Sequence, residues 1–562
     1  FSPQAPGVSF VKNTTAPPAR PLFGGPGHLQ VHNERTEQTV SASREKKSRA
    51  DSTYVQRRNH HETDKNRRKH ILYGVAGGVV AVLAIALLVW DSGFFQKRAT
   101  AVTIDGESYG PAVVQYYYQS ALNTARYGSM MGSSDYASFD YSTDPADQVY
   151  DAESGQTWKD HLLDQAIEDL TQVTALVHAA EEEGYSLTQK DQAYLDSELS
   201  SLDQAWRSSG TYASLDSYLK VNFGNYMDED TFRSLYTDQV LADSYRNTYQ
   251  NSLTYTDEEV EAYYAEHTND LDTFTYSVLT VRASVEEQTD EDGNTVEMTE
   301  EETQAAFDTA KSEAQTLAQE IQARLAAGDD VQALVDEYGD RLYNSSVHAQ
   351  SLGSASAISS AQYADWLYDT ARQSGEVTIV ENDGSANNTY TYYVVQFENR
   401  ERNEDPTADV RHILIGAAAS GSTPTEEEFA AAEEEAQALL DQWKAEDGTE
   451  DGFAALAVQN TDDSGSLADG GLYTGISSLD SWDQNFEDWC LDPARQPGDT
   501  GLVKNESSQT QGWHIMYFVG WDDPQWKYTV KSSFKSDDVS TWLDGLTENV
   551  ETTRGSGMDY VG

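Results

Sequence analysis

Apolar and polar positions along the 562-residue chain fall into blocks of different period. Residues 1–66 show little periodic hydrophobicity and are rich in Pro, Gly, Ser, Thr, Asn and charge, a composition that predicts disorder. Ile71 to Trp90 is a stretch of twenty residues without a charge. At about 1.5 Å per residue a helix of that length spans roughly 30 Å, the thickness of a bilayer core. Ala101-Val102-Thr103-Ile104 reads as a short strand with Asp105-Gly106 as its turn. Helical patterns follow from about Pro111 to Tyr249, dense in aromatics such as Tyr116, Tyr117, Tyr118, Tyr218, Phe223, Phe232, Tyr236 and Tyr245. Thr256-x-x-Glu259 is a capping box that opens another helix through Tyr263 and Tyr264. The apolar runs Tyr276 to Val281, Tyr392 to Phe397, Arg411 to Gly416 and Trp513 to Phe518 read as strands. Val539 to Val550, with Trp542, Leu543, Leu546 and Val550 on one face, reads as an amphipathic helix.

The strand blocks belong to an internal repeat. Tyr363-x-Asp365-Trp366-x-x-Asp369-x-Ala371-Arg372-Gln373-x-Gly375 matches Phe486-x-Asp488-Trp489-x-x-Asp492-x-Ala494-Arg495-Gln496-x-Gly498 at an offset of 123. The capping box Thr299 to Glu302 matches Thr425 to Glu428, and Glu313-Ala314-Gln315-x-Leu317 matches Glu435-Ala436-Gln437-x-Leu439. The chain therefore carries one fold twice, with only the second copy holding His412 and His514 in its strands. Aligned strand to strand, the first copy has Ser277 opposite His412, Tyr393 opposite His514 and Arg341 near Asp463.

Charge adds a direction to this layout. Residues 1–70 hold 13 Lys or Arg against 6 Asp or Glu, whereas 71–562 hold 24 against 89. So acidic a body repels phosphate backbones, which argues against a nucleic-acid partner. Arg67, Arg68 and Lys69 precede the uncharged stretch and Asp91 follows it. By the positive-inside rule the tail is expected in the cytoplasm and the acidic body on the far side of the membrane. A cleaved signal peptide is the competing reading, against which stand the segment's length, its distance from residue 1 and the lack of a small-x-small site after it. The single cysteine, Cys490, excludes an intrachain disulfide and is expected to be a buried packing residue. No cysteine next to the anchor offers a site for lipid attachment. Export with almost no cysteine fits a bacterium with a single membrane. There is no HExxH, P-loop or GxSxG pattern, and the His residues are scattered, so neither a metal nor a cofactor is expected. Asp290-Glu291-Asp292-Gly293-Asn294 lacks the full spacing of a Ca²⁺ loop.

Six fragments of the second copy occur in an ordered series: Arg411-His412-Ile413-Leu414-Ile415, Phe453-Ala454-Ala455-Leu456-Ala457, Thr461-Asp462-Asp463-Ser464-Gly465-Ser466, Gly470-Gly471, Phe486 with Pro497-Gly498, and Gly512-Trp513-His514-Ile515-Met516. Their order resembles the parvulin-type (PpiC) peptidyl-prolyl isomerase family over roughly residues 405–522. The strand-turn-helix opening and the Thr256 to Tyr264 segment resemble the N-terminal region of SurA- and PrsA-type foldases. Together with the charge pattern and the repeat, the resemblance implies an α+β chain: a basic cytoplasmic tail (1–70), a transmembrane anchor (71–90), a helical chaperone domain like that of SurA (98–268), a degenerate parvulin-like domain (272–400), a parvulin-type isomerase domain (405–522) and a C-terminal helix returning to the chaperone domain (523–562). It also implies catalytic roles for His412, Asp463 and His514, with Asp463 at the position where the family carries Cys or Asp. Phe486 would floor the proline pocket. Trp482 stands where Met or Leu is usual, and Gln511 where Ser or Thr is often found; both are expected beside the substrate. The implied function is a membrane-anchored isomerase and chaperone acting on unfolded exported chains with X-Pro bonds, the oligomeric state, a homodimer included, being left open. A holdase using both parvulin folds as scaffold, and an envelope protein docking one folded partner, are the other classes considered.

Overall fold

The computed structural model describes residues 79–80, 82–84, 95–285, 288–289, 295–296, 298–384, 389–419, 421–446, 448–506 and 510–562. The basic tail, most of the 71–90 segment and Asp290 to Asn294 lie outside these. Among the described residues no helix is long and apolar enough to cross a membrane. The described residues divide into two compact units: those up to Thr171 with Asp216–Thr231 and Glu551–Gly562, and those of Gln172–Leu215 with Phe232–Val550.

In the first unit the strand Val102–Ile104 pairs on one side with Glu107–Tyr109 and on the other with Thr552–Arg554. The turn between the first two is made by Asp105 and Gly106, both at positive φ, a region that Asp and Gly enter at low cost. Pro111 starts the helix Pro111–Met130, whose Tyr116, Tyr117 and Tyr118 are all buried. Tyr116 stacks on Phe223 within the same unit.

The second unit holds two four-stranded antiparallel sheets of one topology. The first consists of β1 (Thr273–Ser284), β2 (Ser346–Leu352), β3 (Val377–Gly384) and β4 (Thr389–Glu401), in the order β2-β1-β4-β3. The second consists of β5 (Pro406–Gly416), β6 (Leu472–Ile476), β7 (Thr500–Asn505) and β8 (Gly512–Pro524), in the order β6-β5-β8-β7. Each repeat starts its long helix with a capping box: Thr299 and Glu302 bond reciprocally in one, Thr425 and Glu428 in the other. Each also places an Arg guanidinium 4.2 Å over a Trp ring, Arg372 on Trp366 and Arg495 on Trp489.

The two sheets correct the strand-to-strand alignment by one residue. Matching backbone bonds (Gly375 N–H to Phe397 O, Gly498 N–H to Phe518 O) equate Phe397 with Phe518, which keeps Tyr393 opposite His514. Tyr276 pairs with Phe397 and Val410 with Phe518, so Val278, not Ser277, stands in the register of His412. Likewise Tyr343 N–H to Thr280 O matches Asp462 N–H to Leu414 O, which puts Asn344, not Arg341, in the place of Asp463. Bulges between Tyr276 and Val278 and between Asp409 and Val410 interrupt the period of two that the alignment relied on.

Strand alternation gives the second sheet two different faces. Ile413, Ile415 and Ile515 pack beneath the helices Glu426–Glu446 and Glu450–Asn460, against Ala432, Ala436, Leu440, Phe453 and Ala457. Ala408, Val410, Met516 and Phe518 face the short helix Gln484–Cys490 through Phe486 and Cys490. His412 and His514 lie on this second face, on neighbouring strands. Elsewhere in the unit, the helix Gln525–Thr547 starts well before Val539, directly after Pro524. Its Trp526 and Val530 pack on Val260 and Leu271, and its Trp542, Leu543 and Leu546 on Leu176, Ala180, Ala242 and Tyr245.

Candidate active site

In the β5–β8 ladder His412 pairs with Met516, and Leu414 with His514. The two imidazoles are therefore diagonal neighbours on one face, a spacing that long or ring side chains bridge. Their Nδ1 atoms lie 2.9 Å apart, both rings are buried, and a hydrogen bond between like nitrogens needs one protonated and one bare. The other nitrogen of His412, Nε2, is 3.0 Å from Asp463 Oδ2 and 3.1 Å from Ser466 Oγ.

Asp463 sits in the loop that follows the helix Glu450–Asn460, and three donors converge on its Oδ2: His412, Ser466 Oγ at 2.6 Å and Tyr473 OH at 2.9 Å. Gly465 N–H donates to Oδ1 at 3.1 Å. Burial works to raise the pKa of this carboxyl, but the bonds from His412 and Ser466, the His412 charge and the Tyr473 hydroxyl outweigh it and hold Asp463 well below the usual carboxylate range. Burial, then the Asp463 charge, push the Tyr473 phenol up, so it stays a donor. Burial, with the charge on His412, pushes His514 down to about 3, against a smaller opposing pull from Asp463.

These states fix the direction of the chain of bonds. An ionised Asp463 only accepts, so His412 Nε2 carries a proton and donates to it. When His412 is neutral its Nδ1 is bare and takes a hydrogen from Nδ1 of His514, which leaves His514 Nε2 an acceptor. When His412 is cationic its Nδ1 donates instead, and His514 Nε2 carries the hydrogen. One proton on His412 thus inverts the polarity of the far end of the pair.

Phe486 forms the apolar side. Asp483 caps its helix by accepting from Asn485 N and Phe486 N, which aims the ring back at the sheet. The ring centroid lies 5.8 Å from that of His412 and 5.1 Å from that of His514, edge-on to both. Trp482 precedes the helix and leans on Phe486 at 5.3 Å and Tyr473 at 5.2 Å. Cys490 is fully buried in the same helix, and burial pushes its thiol far up, so it is inert packing. Gln511 stands apart. It lies three residues before His514, on the order of 10 Å along the strand, and its carboxamide donates to the Glu506 carbonyl at 2.7 Å.

The structure therefore brings together His412, Asp463, His514, Phe486 and Trp482. It adds Ser466 and Tyr473, which reasoning from the sequence missed. Ser466 was visible as the third residue after Asp463, the spacing of a local side-chain bond. Tyr473 had no local signal, because it arrives through the sheet. The Gly470-Gly471 turn, with both residues at positive φ, brings it there. A Cβ on Gly471 would lie 2.1 Å from the His412 carbonyl oxygen, which accounts for glycine at that position. In the first sheet the corresponding place holds Val278, Tyr393 and Tyr363, with Tyr363 and Tyr393 ring centroids 5.6 Å apart, so the imidazole pair is absent. Among the described residues no cluster of three His, Cys, Asp or Glu side chains is arranged to hold a metal ion.

No curated protein matches the chain. Among solved structures it is similar to the peptidylprolyl isomerase PrsA of Bacillus anthracis, at 18% identity over 26% of this chain and 58% of that one, with a TM-score of 0.16. It is similar to PrsA of Bacillus cereus at 13% identity over 47% of this chain and 90% of that one, with a TM-score of 0.18. The match thus spans less than two thirds of the first of these proteins. Residues 392–518, from within β4 through Phe518 in β8, match the family model described as the PPIC-type PPIase domain. The chain carries a PPIC-type PPIase domain, the module of a parvulin-type peptidyl-prolyl isomerase.

Proposed function

We propose that this chain is a membrane-anchored foldase that isomerises X-Pro bonds in unfolded exported polypeptides, using His412, Asp463 and His514 beside an aromatic wall of Phe486 and Trp482. The observation that carries this reading is the unbroken chain of hydrogen bonds from Asp463 through His412 to His514, flanked by the Phe486 ring. Rotation about a prolyl bond faces a barrier of about 18–20 kcal/mol, set by amide resonance. No bond has to be broken, so the site needs neither nucleophile nor metal. It needs an apolar grip on the pyrrolidine ring and polar groups shaped for the twisted amide, whose carbonyl and nitrogen are no longer conjugated. Phe486 and Trp482 supply the grip. His514, at the end of the relay, supplies a group whose donor or acceptor character follows the protonation of His412. Asp463, with Oδ2 saturated by three donors, acts by holding His412 in one tautomer.

The first sheet, with Val278, Tyr393 and Asn344 in the corresponding positions, is assigned a non-catalytic role as scaffold or peptide surface. The uncharged stretch before residue 91 is assigned as anchor, and the acidic body to the outer face. The test is exchange NMR on the full chain with an Ala-Pro peptide. His514→Ala and Asp463→Asn are expected to lower kcat/KM by about 10²-fold, the usual scale for losing one preorganised polar group. Unchanged rates in both, with the fold intact, would remove the site assignment and leave a holdase.

A further inference from the structure

The loop that carries Asp463 and Ser466 is gripped from outside the isomerase fold. Its tip is a tight turn in which Asp469 N–H and Gly471 N–H donate to the Ser466 carbonyl, and Gly470 N–H to that of Leu467. Three successive carbonyls at this tip are held by cations. Arg411 reaches those of Asp469 and Gly470, at 2.7 and 3.1 Å. The third, that of Ala468, accepts from Lys190 Nζ at 3.0 Å. Lys190 lies in the first turn of the helix Gln189–Ser209, a helical segment of the same compact unit and far away in sequence.

That first turn is itself rigidly held. Thr188 and Asp191 form a capping box, Ser244 Oγ donates to Asp191 Oδ2 at 2.6 Å, and Lys190 pairs with Asp191 Oδ1 at 3.2 Å. Further along the same helix Ser197 Oγ donates to the Val458 carbonyl, in the helix that leads into the loop. The tip of the Thr461–Gly471 loop and the helix that leads into it are thus held by one helix. Since Ser466 and Asp463 set the position of His412, a shift of this loop moves the relay.

We propose that Lys190 is a positioning residue of the isomerase, and that the helix Gln189–Ser209 sets the competence of the site by holding the Asp463 loop. This rests on the assignment of Asp463 to the site. In the full chain, Lys190→Met, which keeps the apolar stem but loses the charge, is expected to lower kcat on an Ala-Pro peptide about fivefold with KM little changed, and Lys190→Arg to restore most of it. The imidazole ¹⁵N signals of His412 and His514 are expected to move in Lys190→Met and return in Lys190→Arg, a readout that general stability does not move. Wild-type kcat and unshifted imidazole signals in Lys190→Met overturn the proposal, and so does an equal loss in both variants with those signals unmoved. Asp463→Asn separates the two levels. If it slows exchange while Lys190→Met does not, only the positioning role fails. If it does not, the site assignment itself is at fault.

Discussion

At the residue scale, the relay is a stack of opposed demands. A buried imidazole and a half-buried carboxylate each lose hydration, and each is stable here only because its neighbour fills its bonding capacity. His514 shows this most plainly, since burial and the charge on His412 push its pKa down to about 3 and it stays neutral above that pH in the folded chain. An unfolded chain would bind a proton at this position below about pH 6.5. Between there and about pH 3 the unfolded state therefore holds more protons, and acidification costs stability. The loss approaches about 1.4 kcal/mol per pH unit. Asp463, whose pKa is lowered, adds a loss of the same sign, but only below the ordinary carboxylate range near pH 4. Asp409, pushed up to about 6 chiefly by burial, runs the other way and gains stability on acidification. A single titration curve would mix these, so the measurement is a difference. Urea unfolding of wild type and His514→Gln, compared from pH 7 to 4.5, should show the wild type losing its advantage as pH falls. A difference independent of pH would mean that His514 already shares a proton in the native state.

At the scale of elements, what the sequence disclosed and what it hid have separate physical causes. The apolar runs Arg411 to Ile415 and Trp513 to Phe518 marked the two strands, but that both His share one face was legible only through the family resemblance, since it depends on how β5 and β8 pair. The matching Asp-Trp-Arg-Gln segments revealed the repeat because each encodes a local unit, with Arg372 and Arg495 closing back on the carbonyls of Trp366 and Trp489. Register at the bulges was hidden, because a bulge is decided by the partner strand. That is why Ser277 was aligned where Val278 stands, while Arg341 was aligned in place of Asn344 because the loop after the short turn Gly339–Arg341 has no period to read. Tyr473 was hidden for the same reason: its hydroxyl meets Asp463 only after β6 pairs with β5. Gly471 links the two kinds of information, being legible as a turn residue and decisive as a close contact. Gly471→Ala would force a Cβ against the His412 carbonyl oxygen at a backbone φ of +74. The expected cost is roughly 2–4 kcal/mol, in the range of strained and overpacked sites, seen as a lowered urea midpoint. Gly498→Ala, also at positive φ but with nothing within 4 Å of the added carbon, is the control and should cost about half as much or less. Equal costs at the two positions would show that backbone conformation, and not the approach to His412, requires glycine at 471.

At the scale of the whole molecule the governing quantity is charge. A body of 24 basic and 89 acidic residues repels itself, and this repulsion is strongest where ions are scarce. It also repels anionic polymers. The same asymmetry bears on topology. Thirteen basic residues lie in the first seventy, ending in Arg67, Arg68 and Lys69, and the next twenty carry no charge. Moving the tail across a membrane would work against the positive-inside bias, whereas exporting the acidic body does not. The proposed orientation is tested with reporters that are active on one side only, fused before residue 60 and after residue 100 of the full chain in a bacterial host. Opposite readings are expected, with the tail inside. Replacing Arg67, Arg68 and Lys69 by Glu should reduce or invert the asymmetry, since those charges lie within the distance over which the bias acts. If both reporters read the same side and the protein is recovered without detergent, residues 71–90 do not span a membrane, and the isomerase works where its tail does.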